Sequence, residues 1–309
     1  MGDVRLSLLS RRKHAPFEIR PAGEADRHSI SHLLSDARWK HQHLDWIDTL
    51  GLLGQQPFLT AFEQGRMVGT MALPPDPPDV AWLRVFAVAR GHSPATVWES
   101  LWPEALVRVT HAGVKRLAVL DVGGWLRPIL EGSGFAPTTA VTFLEWNDLR
   151  LPEALAGLNG LRKLTVNDLP ALAVLDGRAF GSIWRHSQEV LGLALRQASL
   201  ASIVERDGQP VAYQLSTASA YGAHLARLAV DPSWQDRGIG TSLVVHVLGH
   251  FARQGFTRVT LNTQADNERG LSLYKRLGFS ETGQRYLVFE AEVLSSSTGV
   301  EEIGREAAS

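Results

Sequence analysis

Apolar and polar positions along this chain fall into two similar series. "FLTAFEQGRMVGTMAL" (Phe58 to Leu73) and "LASIVERDGQPVAYQL" (Leu200 to Leu215) each read as an apolar strand, a tight polar turn with glycine, and a second strand. "AWLRVFAVARG" (Ala81 to Gly91) matches "AHLARLAVDPS" (Ala223 to Ser233). "GVKRLAVLDVGGWLRPILEGSGFAPT" (Gly113 to Thr138) parallels "GFTRVTLNTQADNERGLSLYKRLGFSETG" (Gly255 to Gly283). The offset is roughly 142 residues and drifts to about 144 at Gly134-Phe135 and Gly278-Phe279, a duplicated domain rather than a solenoid of short units. The order predicted for each half is helix, helix, hairpin, strand, helix, strand, helix, strand.

The second half carries the clearer signals. Leu243, Val244, Val247, Leu248 and Phe251 form one apolar helix face. "RVTLNT" (Arg258 to Thr263) alternates as a strand. The next helix opens at Asp266 or Asn267 and closes with Lys275, Arg276 and Gly278. "RYLVFEAEV" (Arg285 to Val293) is a last strand. The fold class is α/β on a mixed sheet.

Bulk properties narrow the setting. The 309 residues suggest two domains, and a net charge of −1 gives no general attraction to nucleic acid or anionic membrane. There is no cysteine, which excludes disulfides, thiolate zinc sites and a cysteine nucleophile. The start lacks the apolar core of a signal peptide, and no stretch approaches the ~20 apolar residues of a membrane span. A cytoplasmic protein is expected, as a monomer or homodimer. The expected divisions are an extension at 1–16, a first domain at 17–147, a linker at 148–160, a second domain at 161–294 and a disordered tail at 295–309. "PPDPPD" (Pro74 to Asp79) reads as a stiff surface connection.

"QDRGIG" (Gln235 to Gly240) puts two glycines at the mouth of an apolar helix. A helix N-terminus offers unpaired N–H groups and the positive end of its dipole. Removing side chains at Gly238 and Gly240 lets an anion reach them; Thr241 adds a hydroxyl and Arg237 a charge. The natural occupant is a phosphate or pyrophosphate. The lysine of a P-loop and the third glycine of a dinucleotide fingerprint are both missing.

"LAVDPSWQDRGIGTSL" and "ADNERGLSLYKRLGF" together resemble the GNAT superfamily of acetyl-CoA-dependent N-acetyltransferases, over roughly residues 161–293. The resemblance implies two tandem GNAT-like domains, each a mixed twisted sheet flanked by helices, the first a degenerate copy. It implies acetyl-CoA as co-substrate, an amine acceptor and no metal. Leu228, Ala229 and Val230 would meet the pantetheine arm, Gln235, Asp236, Arg237, Gly238, Ile239, Gly240 and Thr241 the pyrophosphate, and Asn267 the cofactor near the next helix. Tyr274 would lie by the thioester sulfur. A phenol near pKa 10 stays protonated, and full transfer to a thiolate near 8.5 is uphill by about 2 kcal/mol, so it polarises the leaving group. The amide of Ala229 or Val230 would serve the developing oxyanion.

The base is less defined. The strand before the loop, "AHLARLAV", has no carboxylate, and His224 is the candidate by pKa. Phe180 and Trp184 bracket Gly181-Ser182 in "LDGRAFGSIWRHSQEVL", either as a mobile lid over the acceptor or as core, with Asp176, Arg185 and Glu189 supplying charge. The first half has "ARGHSPATVW" in place of the glycine loop, and Leu130 aligns with Tyr274. It holds seven of the nine tryptophans, which either line an acceptor groove or fill a core. In "KHQHLD" (Lys40 to Asp45), His41 and His43 are read as a solvated helix face. Beside the enzyme stands a second class, a non-catalytic acyl-CoA-binding regulatory or scaffold module.

Overall fold

The computed structural model describes residues 16–148, 151–152 and 158–293. Most of the N-terminal extension, the middle of the expected linker and the C-terminal tail lie outside the described residues.

In the first half, β1 (Glu18–Pro21), α1 (Arg27–Asp36) and β2 (Trp39–Gln42) precede the hairpin β3 (Phe58–Glu63) and β4 (Arg66–Ala72). One further segment, broken at Leu83 and Arg84, forms β5 (Val80–Trp82) and β6 (Val85–Val88). Then come α2 (Pro94–His111), β7 (Arg116–Asp121), α3 (Arg127–Gly132) and β8 (Ala136–Trp146). The second half runs β9 (Leu161–Lys163), α4 (Leu169–Ala179), α5 (Gln188–Gln197), β10 (Leu200–Arg206) and β11 (Gln209–Ser219). It continues with β12 (Gly222–Val230), α6 (Ile239–Arg253), β13 (Val259–Gln264), α7 (Glu268–Arg276) and β14 (Ser280–Glu292). The duplicated order holds with one exception. Where the second half has α5, the first has β2 and a single 3-10 turn at Thr49–Leu52.

That exception corrects the reading of "KHQHLD". The segment pairs antiparallel with β6, Trp39 opposite Val88 and His41 opposite Phe86. Strand alternation turns His41 inward, and the buried ring sits 2.9 Å from the Leu83 carbonyl. His43 follows the same parity and is half-buried, its ring 4.7 Å from that of Trp82, so neither histidine lies on a solvated face.

Two sheets result. One has the order β1-β3-β4-β6-β2; the other runs β5-β7-β14-β8-β13-β12-β11-β10-β9. In the larger sheet the last strands have crossed over. β8, from the first half, pairs with β13 of the second, and β14, from the second, pairs with β7 of the first. β8 and β14 pair antiparallel with each other at the centre. Core packing follows the exchange. Leu144 and Trp146 of β8 are buried among Val244, Val247 and Phe251 of α6, and Phe289 of β14 is buried with the first-half core.

Each half also splays. β12 follows β11 along its length but meets β13 only over Ala223–Leu225. Likewise β5 pairs with β7 while β6 pairs with β4. In the second half the opening remains a groove. In the first half, Trp125 packs on Trp39 at 5.4 Å and on Phe86 at 5.9 Å, and Leu130 is fully buried beside them.

Because β8 completes the core of the other half, the chain should unfold as one cooperative unit. Leu144→Ala is expected to cost roughly 2–5 kcal/mol, the range for a buried leucine, and to lower one shared transition in calorimetry. Two separate transitions, with only the first-half one shifted, would contradict the exchanged topology.

Candidate active site

The groove begins where β12 leaves β13. The Asp231 N–H donates to the Val211 carbonyl at 2.8 Å, so antiparallel alternation points the Ala229 amide at β11 and those of Leu228 and Val230 into the groove. Gln235 Nε2 donates to the Val230 carbonyl at 3.2 Å, in agreement. Of the two oxyanion donors considered from sequence, Val230 therefore has the free orientation. Ala229 remains a wall residue.

The glycine loop closes one end. Gly238 sits at φ 77° as the cap of α6, a left-handed conformation that disfavours any side chain. Gly240 answers a different need: a Cβ there would lie 3.2 Å from Leu273 and 3.6 Å from Val230. The first bond of α6 runs from Ser242 N–H to the Gly238 carbonyl, which leaves the amides of Ile239, Gly240 and Thr241 without an intrahelical acceptor. Arg237 stacks over Trp234, its Cζ 4.5 Å from the ring centroid. Arg269, on α7, reaches back to Gln235 and to Asp236, the latter at 3.2 Å. Bare amides and the Arg269 guanidinium line the groove and fit the pyrophosphate of acetyl-CoA, while Arg237, in the same loop, is exposed and outside the lining residues. Arg269 was not picked out from sequence; its first-half counterpart, by the alignment of Leu130 with Tyr274, is Trp125.

Asn267 caps α7. Its Oδ1 accepts from Gly270 N–H at 3.0 Å and its Nδ2 donates to Thr263 at 2.8 Å, so both ends of the amide are engaged. Tyr274 projects from the same helix and is 7% exposed, edge-on to Phe279 at 5.8 Å. Burial pushes its phenol well above the ordinary value, which keeps it protonated.

Two cavities meet here. One, about 980 Å³, is lined by the glycine loop, Val230, Arg269 and Tyr274. The other, about 500 Å³, is lined by Tyr274, His224 and Asn262 of the second half and by His43, Trp46 and Trp82 of the first. Phe180, Trp184, Leu228, Asn267 and Tyr274 line both. His224 stands on the wall with Nδ1 2.9 Å from the Thr260 hydroxyl, and burial lowers its pKa, so it is neutral at pH 7. The tryptophans divide between the two roles open from sequence: Trp46 and Trp82 face the cavity, while Trp98 and Trp102 are core.

The segment after α4 is not a free lid. Trp82 Nε1 donates to the Ile183 carbonyl at 2.9 Å, Arg116 to Ser182 at 3.0 Å, and Arg185 pairs with Asp79. Trp184 packs on Trp82 at 5.3 Å. Phe180 has one face covered by Arg227, whose Cζ is 3.7 Å from the ring centroid. Asp176 is not a charge on the cavity wall. It is fully buried, with Arg227 Nε at 2.6 Å, His186 N–H at 2.7 Å and the Tyr213 hydroxyl donating to it. Arg227 also donates to the Trp184 carbonyl at 2.8 Å, so this ion pair holds the segment from beneath.

Comparison with known proteins bears on this geometry. The acetyltransferase (GNAT) family model matches residues 169–279. A [Ribosomal protein bS18]-alanine N-acetyltransferase of Escherichia coli (strain K12) is 27% identical over 124 residues, 40% of this chain and 82% of that protein. A mycothiol acetyltransferase of Saccharomonospora viridis is 28% identical over 167 residues, 46% of this chain and 52% of that protein. Among solved structures, a tandem GNAT protein from the clavulanic acid biosynthesis pathway aligns with a TM-score of 0.60 at 17% identity, covering 90% of this chain and 98% of its own. A GCN5-related N-acetyltransferase from Sphaerobacter thermophilus aligns with a TM-score of 0.58 at 18% identity, covering 90% and 96%. The shared fold is that of two GNAT-like halves.

Two outcomes follow from this geometry. Gly240→Asp sets a carboxylate beside the free amides and is expected to abolish acetyl-CoA binding in calorimetric titration while circular dichroism stays native; retained affinity would mean the anion binds elsewhere. His41 is buried and His43 and His186 are half-buried, and loss of solvent lowers the pKa of all three, His41 to about 4. Groups held below their unfolded value of about 6.5 stabilise the fold above that pH and withdraw that stability as pH falls. Melting temperature should therefore drop between about pH 6.5 and 4, and drop less in His41→Asn.

Proposed function

Because the second half of this chain is a GNAT-family acetyltransferase domain, we propose that the protein is an N-acetyltransferase moving the acetyl group of acetyl-CoA to a primary amine. The acceptor is a small molecule or a peptide or protein N-terminus. The observation that carries the reading is the junction of the two cavities at Tyr274, with free helix amides on one side and an aromatic chamber on the other. Acetyl-CoA supplies an activated acyl carbon on a good leaving group. The relatives named as N-acetyltransferases support an amine as acceptor.

The residues divide the work. Ile239, Gly240 and Thr241 amides, with Arg237 and Arg269, would bind the pyrophosphate; Gln235 and Asp236 hold Arg269 in place. Leu228 and Val230 present backbone groups to the pantetheine arm, and the Val230 N–H would meet the negative charge that grows on the carbonyl oxygen. The amine nitrogen bonds to the acyl carbon, the carbon–sulfur bond breaks, and the nitrogen gives up a proton. His224, neutral and facing the acceptor cavity, would take that proton directly or through water. Tyr274 would donate a hydrogen bond toward the departing sulfur. Its raised pKa makes complete transfer to sulfur more unfavourable still, so the phenol polarises and does not titrate.

We propose residues 17–147 and 161–294 as the two copies, with only the second taking acetyl-CoA, in a cytoplasmic monomer or homodimer. Trp125 and Leu130 occupy the first copy's splay and support that assignment.

Tyr274→Phe is the decisive variant. The expected result is kcat lowered by roughly 10²-fold with acetyl-CoA affinity unchanged, in steady-state kinetics against a panel of amines. Turnover equal to wild type would remove Tyr274 from the chemistry, and absence of turnover with every amine in both forms would favour the acyl-CoA-binding module.

A further inference from the structure

The acceptor chamber has a distinctive charge balance. Three arginines line it, and each has a carboxylate partner: Arg84 with Asp45, Arg185 with Asp79, and Arg227 with Asp176. Its three histidines, His43, His186 and His224, all have pKa values lowered by burial and are neutral at pH 7. That leaves Asp76, the carboxylate inside the "PPDPPD" connection.

Asp76 lines the chamber, and its Oδ2 is buried without a hydrogen-bond partner. Ser187 lies close enough to favour its charged form, while burial, the larger effect, raises its pKa. Glu189, in the first turn of α5, adds a second negative charge nearby. No arginine or lysine is paired with Asp76 among the described residues. Trp46, Trp82 and Trp184 line the same chamber. A buried oxygen with no donor, in a chamber that indoles also line, suits a desolvated cation.

Access adds a second constraint. The wall at 182–185 is tied to the first half through Trp82, Arg116 and Asp79, so the chamber is preformed, and about 500 Å³ is the scale of a small-molecule site.

We propose that the acceptor is a small molecule with a second cationic group besides the amine that is acetylated, and that Asp76 of the first half binds that group against the tryptophan walls. The inference rests on the acetyl-transfer reading for the identity of the reacting amine. The cation site itself stands on geometry that does not depend on turnover. In this arrangement the copy that lost the cofactor loop supplies specificity to the copy that kept it.

The test uses three probes of one chain length: diaminobutane, butylamine and aminobutyrate, each titrated calorimetrically into the full chain and then assayed as an acceptor. Diaminobutane is expected to bind at least about tenfold tighter than butylamine, the scale of one charge-assisted hydrogen bond, with aminobutyrate weakest. Asp76→Asn should collapse the diamine-to-monoamine ratio toward one, with melting temperature confirming that the variant is folded. The wild-type ratio needs no variant, so it decides the matter even if Asp76→Asn fails to fold. Equal binding of diamine and monoamine, or tighter binding of aminobutyrate, would overturn the proposal. A diamine preference without acetylation of any probe would leave the cation site in place and sink the acetyl-transfer reading instead.

Discussion

The antiparallel ladder between β8 and β14 holds each half's last strand inside the other half's sheet. A strand buried between two neighbours brings its side chains into the partner's core, and separating the halves would strip Leu144, Trp146 and Phe289 of their surroundings at once. The halves therefore meet in a fixed relation. Because that relation is fixed, residues from both can share one enclosed chamber. Leu120, Val141 and Phe143, all near the crossover, form part of its wall. A flexible pair of domains would leave that chamber to open and close with every interdomain motion.

Within the second half, the proposed chemistry rests largely on backbone groups. The splay of β12 from β13 frees amides that an ordinary parallel pair would consume, and the glycine loop frees three more at the start of α6. Side chains do the supporting work: Gln235 steadies Val230, Asn267 steadies α7, and Asp176 with Arg227 holds the 180–187 segment down. Breaking that last pair by removing one partner would strand a buried charge, which costs about 3–5 kcal/mol. Its place under the chamber floor makes it a structural support for Trp184 rather than a substrate ligand.

How much of this was legible in the sequence depends on the range of the interaction. The glycine loop, the N-cap at Asp266 or Asn267 and the tyrosine at 274 are local patterns, with spacing set by one turn and one helix, so they were visible in the sequence once its resemblance to a family gave them roles. The repeat was equally plain. His43 and Asp76 were not, because their surroundings come from elsewhere in the chain: Trp82 and Arg84 for His43, Ser187 and Glu189 for Asp76. "KHQHLD" has no helix-breaking residue, and nothing local says that β6 will pair with it; tertiary pairing overrode propensity there. The strand exchange is silent for the same reason. A last strand that returns to its own sheet and one that enters its neighbour's have the same alternation of apolar positions.

The two copies also show what duplication releases. At the start of α2 the first half has Ser93 and Pro94 where the second has its glycine turn. Proline at a first helical turn is well tolerated, but it deletes a free N–H at the place where an anion would need it. Trp125 at the counterpart of Arg269 trades a cation for aromatic packing against Phe86 and Trp39. Both changes remove an anion-binding element, and the tryptophan also adds to the packing of the first core. That half keeps its splayed strand, and Trp82 and Arg84, before and within the break, line the chamber shared with the neighbouring copy. A splayed strand thus opens the proposed cofactor groove in one half and contributes a wall of the proposed acceptor chamber in the other, with side-chain volume, a missing N–H and a missing cation separating the two.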